Sequence, residues 1–427
     1  MTVLVVGATG LIGRAIAERL EREGHAVVLA VRRAAVDDAG PGRRVALDLA
    51  RPCRRRWMEA LRSVDVVVNA AGIFQETADA SFEHVHVSGP CTLFELAAAA
   101  GVARIVQISA LGADERAATA YWRSKAAGDA CARAFPGTHV VVRPSLVFAE
   151  TGASTRLFLT LAAQPVVALP GGGRQLVQPI HLDDLVDGVT ALLAHPAPPP
   201  LIEAVGPAPL SFADYLRTLA AQMGHRLRVL PAPAWAVRAV SRLPMPASVP
   251  LPDADALRML DAGSHGDAAA WQALLARPLR PATGFLASST RSDVRDAARL
   301  RVLVPVMRLA DSLMWLVTAW VSAFVYPVPA SLDLLQRAHV PAAFGLPALY
   351  GAAALDAVLG LAVWHRRWRR GAYRAQLALI AFYTLVISVW LPEYWAHPYG
   401  PVLKNLPVLA LVYALLKLDD PDGHRPR

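Results

Sequence analysis

Cysteine is scarce in this chain. Only Cys53, Cys91 and Cys131 occur among 427 residues, far apart and with no Cys-x-x-Cys pair, so neither a disulfide scaffold nor a zinc site is expected. That usage fits a reducing compartment, and no metal is expected elsewhere. A signal peptide is also missing: the first residues enter an apolar strand pattern at once, without a basic region, apolar core and cleavage site. The third lack is of charge in the last 130 or so residues, where long apolar runs are separated by short charged clusters, while the first 300 or so mix the two as a soluble fold does. A soluble part followed by a membrane part is therefore expected. The formal net charge of +9 does not argue for nucleic acid, because the densest basic cluster, His365-Arg366-Arg367-Trp368-Arg369-Arg370, lies between two apolar runs, where membrane proteins place cytoplasmic arginines.

What is present begins with Gly7-Ala8-Thr9-Gly10-Leu11-Ile12-Gly13, directly behind Val3-Leu4-Val5-Val6 and ahead of an amphipathic segment. This reads as strand, tight turn and helix start. Gly7 permits the turn, Gly10 close approach to a pyrophosphate and Gly13 helix-on-sheet packing, so the N–H groups of the first helical turn can hold a dinucleotide. The spacing, Gly-x-x-Gly-x-x-Gly, departs from the commoner Gly-x-Gly-x-x-Gly. Leu11 to Glu23 is expected as a helix ended by Gly24, and Ala26 to Val31 as a second strand closing on Arg32-Arg33. A guanidinium pair at that place suits a 2′-phosphate, which points to NADP, with NAD the alternative. A third strand, Val45 to Leu47, ends at Asp48, placed either to accept from the adenine amino group or to cap the segment after Pro52. Val66-Val67-Val68 leads into Asn69-Ala70-Ala71-Gly72, small residues over which a cofactor can lie. Leu93 to Gly101 reads as a helix and Arg104 to Ser109 as a fifth strand with Ser109 at its carboxyl end.

Tyr121-Trp122-Arg123-Ser124-Lys125 falls on an expected helix running to Ala134, which sets the Tyr121 hydroxyl and the Lys125 ammonium on one face. A nearby cation lowers a phenol pKa, so Tyr121 can move a proton at a substrate oxygen that Ser109 also hydrogen-bonds.

On these stretches, with Arg143-Pro144-Ser145-Leu146-Val147-Phe148 and Gln178-Pro179-Ile180-His181-Leu182-Asp183-Asp184, the first 290 or so residues resemble an extended or atypical short-chain dehydrogenase/reductase, close to the group of the Rossmann-fold complex I accessory subunit. The resemblance implies catalytic positions at Ser109, Tyr121 and Lys125. It implies cofactor contacts at Gly7, Thr9, Gly10, Leu11, Ile12, Gly13, Arg32, Arg33, Asp48, Ala70, Ala71, Gly72, Tyr121 and Lys125, with Pro144, Ser145 and Val147 in the loop that meets the nicotinamide amide. Asp129 stands where the family has a glutamate and bears on helix packing. His181 reads as structural, with Asp183 or Asp184 capping a helix from Leu185 to Ala194. The region after 200, with a helix over Phe212 to Met223 and amphipathic stretches around Trp235 to Leu260, corresponds to the family's variable substrate lobe.

Four apolar runs follow: Ser312 to Leu332, Val340 to Trp364 with Asp356 as its one charge, Ala375 to Pro392, and the short Asn405 to Leu416. With Leu391-Pro392-Glu393-Tyr394-Trp395 and Lys404-Asn405-Leu406-Pro407, this part resembles the DoxX-like family of four-helix membrane proteins. The expected fold is thus α/β, a Rossmann-type doubly wound parallel sheet with a small substrate lobe, followed by an all-α four-helix transmembrane domain. The expected boundaries are 1–200, 201–295 and 296–420. Basic residues gather at Arg299, Arg301, the 366–370 cluster, Arg374, Lys417, Arg425 and Arg427, against Arg337 and Lys404 opposite, which places both termini on the cytoplasmic side of an inner membrane. Arg308 and Asp311, at i and i+3, are spaced to pair.

Three functions compete. The first is a membrane-anchored NAD(P)-dependent oxidoreductase acting on a lipophilic carbonyl or quinone-like substrate. A non-catalytic NADP-binding redox sensor or assembly scaffold is the second. The third, a nucleotide-sugar epimerase or dehydratase, uses the same fold and the same Tyr and Lys, but no residue cluster suits a nucleoside diphosphate.

Overall fold

Valine and leucine occupy both faces of the first strand, β1 (Thr2–Val6), so it has to be covered on both sides. In the structure, a computed structural model describing residues 1–32, 43–233, 235 and 254–419, that is what happens. Val3 and Val5 join a core with Ile16 and Leu20 of helix α1 (Leu11–Arg22) and with Leu185, Val189 and Leu192 of a later helix, Leu182–Ala194. Leu4 and Val6 face the other way, against Trp57, Leu93, Phe94 and Ala132.

Six further strands run parallel to β1: β2 (Ala26–Val31), β3 (Arg43–Ala46), β4 (Val66–Asn69), β5 (Arg104–Ile108), β6 (Thr138–Pro144) and β7 (Leu201–Ala204), in the spatial order β7-β6-β5-β4-β1-β2-β3. The strand order reverses between β1 and β4, and ligands of open parallel sheets bind at the carboxyl ends beside such a reversal. The turn after β1 and the segments after β4 and β5 all lie on that edge.

The expected lobe is not the continuous stretch 201–295. Strand β7 lies past residue 200 yet belongs to the main sheet. The lobe's core joins Phe148, Leu159 and Leu169 to Phe212, Leu216, Phe285 and Ala298. A parallel sheet makes each connection return across its face, so the chain leaves for the lobe and comes back before β7. By contacts the chain divides into two compact units between Arg299 and Leu300.

The second unit is helical. Helix α2 (Arg291–Trp320) passes into a π-helical turn, Val321–Val325, and stops at Tyr326-Pro327; α3 (Val328–Arg337), α4 (Gly345–Ala362), α5 (Arg369–Trp390) and α6 (Asn405–Leu418) follow. The run 312–332 is therefore two helices, because Pro327 cannot donate the hydrogen bond that would continue the first. Among the described residues, three helical segments, Arg291–Val325, Ala342–Ala362 and Arg369–Trp390, are long and apolar enough to cross a bilayer, while α6 has 14 residues. At 1.5 Å per residue α6 spans about 21 Å, short of a hydrocarbon core of about 30 Å. Leu303, Val317, Phe324, Val358, Leu385 and Val389 are exposed, whereas Arg308, Asp311, Ser312, Asp356 and Gln376 are buried. Apolar outside and polar inside is the order that lipid imposes.

Two expectations fail on distances that sequence cannot show. Cys91 and Cys131, 40 residues apart, lie on neighbouring helices of the first unit, Gly89–Ala99 and Ala120–Arg133, with Cα atoms 5.1 Å apart, and form a disulfide. Arg308 does not pair with Asp311. Its guanidinium takes both carboxylate oxygens of Asp419 at 2.6 and 2.8 Å, with the Tyr373 hydroxyl 3.3 Å away.

Candidate active site

The glycine turn is built as its spacing requires. Gly7 has φ +81°, and a β-carbon there would lie 2.7 Å from Ala71 N, so the turn rests directly on the backbone after β4. On Gly13 a β-carbon would stand 2.3 Å from the Gly7 carbonyl oxygen, and only glycine lets α1 start this close to the sheet. Gly10, the N-cap of α1, supplies no side-chain cap, which leaves first-turn N–H groups open to an anion. Thr9 and Gly10 are exposed, Leu11 and Ile12 half-buried.

Arg32 is exposed just past the end of β2, and Arg33 lies outside the described residues. Asp48 follows β3 on the same edge, but its carboxylate accepts from Ala50 N at 3.0 Å. It caps no helix: the helix after Pro52, Arg54–Leu61, has Cys53 at its N-cap.

After β4 the chain passes from the glycine turn to the candidate catalytic groups. Asn69, fully buried, donates to Gln107 at 2.7 Å and accepts from Ala71 N at 3.2 Å, which fixes the Ala70-Ala71-Gly72 path. At Gly72 a β-carbon would lie 3.8 Å from the Lys125 ammonium. Lys125 donates to the Ile108 carbonyl at 2.8 Å, next to Ser109, and the Ser109 hydroxyl is buried with no hydrogen-bond partner. Tyr121 and Lys125 share a face of helix Ala120–Arg133, whose N-cap Thr119 accepts from Trp122 N. Ser109, Tyr121, Lys125 and Gly72 thus come together at the carboxyl edge, beside the turn that carries Gly7.

Electrostatics correct one expectation. Burial, helped by the Asp129 carboxylate, pushes the Tyr121 phenol above its ordinary value rather than below it, because desolvation outweighs any lowering by Lys125. Burial brings Lys125 down to about 8, against the opposing pull of Asp129. Asp129 is itself fully buried and held by Arg143 at 2.9 and 3.1 Å. It acts on the electrostatics of this site as well as on packing.

His86 was not anticipated. It sits on a π-helical turn, Glu83–Ser88, 1% exposed, its ring edge-on to Tyr121 at 5.6 Å. Burial and then Lys125 lower its pKa to about 3, so the ring is neutral. Nε2 accepts from Ile73 N at 3.1 Å, which leaves the proton on Nδ1 to donate to Ser124 Oγ at 2.8 Å. Ser124 in turn donates to the Tyr121 carbonyl at 2.8 Å, so His86 ties the loop after β4 to the helix of Tyr121 and Lys125. A β-carbon on Gly128 would lie 2.2 Å from the His86 carbonyl oxygen, so that glycine is what lets the helix meet the π-helical turn. The one sequence signal was a histidine in an apolar setting, Val85-His86-Val87, three residues before Gly89.

The surroundings of the Tyr121 ring are aromatic. Phe74, 71% exposed, stacks on its ring at 4.9 Å, and Phe82 meets it edge-on at 6.1 Å. Met259 packs on the same cluster.

The other candidates are engaged elsewhere. The Ser145 hydroxyl donates to the Gln178 carbonyl at 2.5 Å, and Val147 pairs with Ile180 in a two-strand ribbon that starts just after Pro144. His181, not Asp183 or Asp184, is the N-cap of Leu182–Ala194, accepting from Asp183 N at 3.2 Å. The helix starts three residues earlier than expected because the His181 ring does the capping. Its ring also lies 3.0 Å from the Arg280 guanidinium and against the paired rings of Phe148 and Phe285, a structural setting. Among the described residues no group of three or more His, Cys, Asp or Glu side chains is placed to hold a metal.

A dinucleotide fits these residues: a cradle that β-carbons would fill, an uncapped helix start and an unpartnered buried hydroxyl at the far end. Comparison agrees. Residues 3–202 match the model of the NAD dependent epimerase/dehydratase family, and residues 312–413 that of the DoxX-like family. The chain is 31% identical over 200 residues to the mitochondrial NADH-ubiquinone oxidoreductase 40 kDa subunit of Neurospora crassa, covering 45% of this chain and 52% of that one. It is 28% identical over 197 residues to a ceramide reductase of Caulobacter vibrioides, covering 45% and 61%. This chain therefore spans between about half and three fifths of the length of these two relatives. The solved UDP-glucuronic acid 4-epimerase of Bacillus cereus superposes with a TM-score of 0.52 at 17% identity, covering 70% of this chain and 99% of that one. A nucleoside-diphosphate-sugar epimerase of Staphylococcus aureus gives 0.53 at 16%, covering 67% and 99%. At such identity these two speak for the fold alone. The chain joins an N-terminal NAD(P)-binding Rossmann-type domain of the epimerase/dehydratase kind to a C-terminal DoxX-like membrane domain.

Proposed function

We propose that this protein is a membrane-anchored, NADP-dependent oxidoreductase that reduces a lipophilic carbonyl or quinone-like molecule. The observation that carries the reading is the convergence of an unpartnered Ser109 hydroxyl with Tyr121 and Lys125 beside the glycine turn. A bound reduced nicotinamide supplies the hydride. Tyr121, its phenol kept protonated by burial, donates the proton to the substrate oxygen, and the Ser109 hydroxyl hydrogen-bonds the same oxygen. Lys125 supports the tyrosinate that forms as the proton leaves. The aromatic wall of Phe74 and Phe82 supports an apolar reactant, and a bilayer is where such a molecule is concentrated. The ceramide reductase relative is named for an activity on a lipid, which supports the same class. The arginine distribution supports termini on the cytoplasmic side, with α6 as a fourth, short crossing.

The cofactor assignment rests on Arg32 and Arg33. NADPH is expected to bind more tightly than NADH, and an Arg32→Ala/Arg33→Ala double variant should lose that preference while keeping NADH affinity. Titration of both cofactors checks it, and equal affinities in the unaltered protein would sink the NADP assignment. Activity in vesicles loaded with a lipophilic carbonyl tests the substrate class against a sensor or scaffold, which would show cofactor binding without turnover.

The site's pH response follows from Lys125. As pH rises through about 8 the ammonium loses its proton, so turnover should fall there. Asp129→Asn keeps an acceptor for Arg143 but removes the charge that holds the Lys125 pKa up, so the fall should move to lower pH. A kcat/KM profile measures both, and an unmoved profile would refute the coupling.

A further inference from the structure

The buried charges of the membrane unit are unevenly matched. Arg308 is committed to Asp419, and Arg369 lies 3.6 Å from the same carboxylate. Asp311, fully buried, accepts from Trp315 Nε1 at 3.2 Å and Gln376 Nε2 at 3.1 Å. Asp356, in the second half of α4, is 6% exposed, and its Oδ1 has no hydrogen-bond partner. Gln376 is fully buried on α5, and its Oε1 has none either, while its amide nitrogen lies 3.5 Å from the carbonyl of Leu359, one helical turn along α4 from Asp356.

Among the described residues no cation answers Asp356. Helix α2 brings Asp311, Ser312 and Trp315, and Ser312 spends its proton on the Gly360 carbonyl. From α5 come Gln376 and Tyr383, the latter within electrostatic reach. The turn 321–325 carries no charge, and on α3 Asp333 and Arg337 are both exposed. A bare carboxylate in hydrocarbon is costly, and a metal would need more ligands than the described residues assemble. A proton removes the charge and turns one orphaned acceptor into a donor.

We propose that Asp356 is a proton-binding site of the membrane unit, its carboxyl held as the neutral acid and open to a membrane-soluble reagent. Such an acid reacts with a hydrophobic carbodiimide: its proton goes to a carbodiimide nitrogen, its oxygen adds to the central carbon, and the O-acylisourea rearranges to a stable N-acylurea. No oxidant or reductant is needed. The full chain in phosphatidylcholine vesicles, treated with dicyclohexylcarbodiimide near neutral pH, should gain one adduct that peptide mass spectrometry places at Asp356. The adduct should vanish in Asp356→Asn, persist in Asp311→Asn, and fail to form with a water-soluble carbodiimide. No adduct on the unaltered chain, or one located at Asp311, would overturn the proposal. Infrared spectra give a second reading that does not depend on a variant folding: a carbonyl stretch of a protonated carboxyl, shielded from exchange, is expected in the unaltered protein. Its absence would likewise overturn the assignment.

Discussion

Tyr121→Phe loses turnover by about 10²–10⁴-fold and keeps its cofactor affinity, if the hydroxyl is the proton donor the site suggests. The ring is 9% exposed and wedged among Phe74, Phe82 and His86, contacts that phenylalanine reproduces. Only the O–H disappears, and nothing the structure shows would move to replace it, because the Ser109 hydroxyl cannot give up its proton without a base of its own. Measuring kcat beside the cofactor dissociation constant separates chemistry from binding. A variant that turns over at the normal rate would end the oxidoreductase reading and leave a binding module.

The second large effect is steric. Gly13→Ala places a carbon 2.3 Å from the Gly7 carbonyl oxygen and 2.7 Å from its carbon, backbone atoms that have no rotamer to escape into. Helix α1 has to lift from β1, at a cost of about 1–3 kcal/mol by analogy with overpacked cores, and the first-turn N–H groups leave the position where they meet a pyrophosphate. Cofactor affinity and melting temperature should fall together. Gly24→Ala is the control: Gly24 also has φ +81°, but a β-carbon there meets nothing within 4 Å. It should lose about 1–2 kcal/mol of stability through the left-handed backbone alone and leave cofactor affinity untouched. Equal affinity losses in the two variants would mean that the glycine turn acts through global stability only.

What the sequence made legible was local. Strand β2 runs from Ala26 to Val31 as expected, α1 starts at Leu11, and the helix of Tyr121 and Lys125 ends within a residue of the forecast. Each depends on periodicity and end signals within a dozen residues. What failed was set at a distance. The partner of Arg308 is 111 residues away, and a local i, i+3 rule names the wrong acid. His86 matters because a π-helical turn and Gly128 bring it to Ser124, 38 residues on. The Lys125 cation, expected to lower the Tyr121 pKa, is outweighed by burial, and Asp129, expected to bear on packing only, adds to the rise. The strand-end place of Ser109 and the shared helix face of Tyr121 and Lys125 were legible because such positions follow from the period of the chain.

The interleaved lobe has a kinetic consequence. The main sheet receives its last strand at Ala204, whereas the lobe's core waits for Phe285 and Ala298, immediately before the membrane unit begins at Leu300. At synthesis rates of about 5–20 residues per second, the ribosome takes roughly 5–20 s to travel from that strand to the first apolar segment. During this interval the parallel sheet can assemble in water, before any membrane helix has emerged to recruit the insertion machinery. Nascent chains stalled once residue 204 has cleared the ribosomal exit tunnel should therefore already protect the strands of the sheet from protease, before the membrane unit reaches the bilayer.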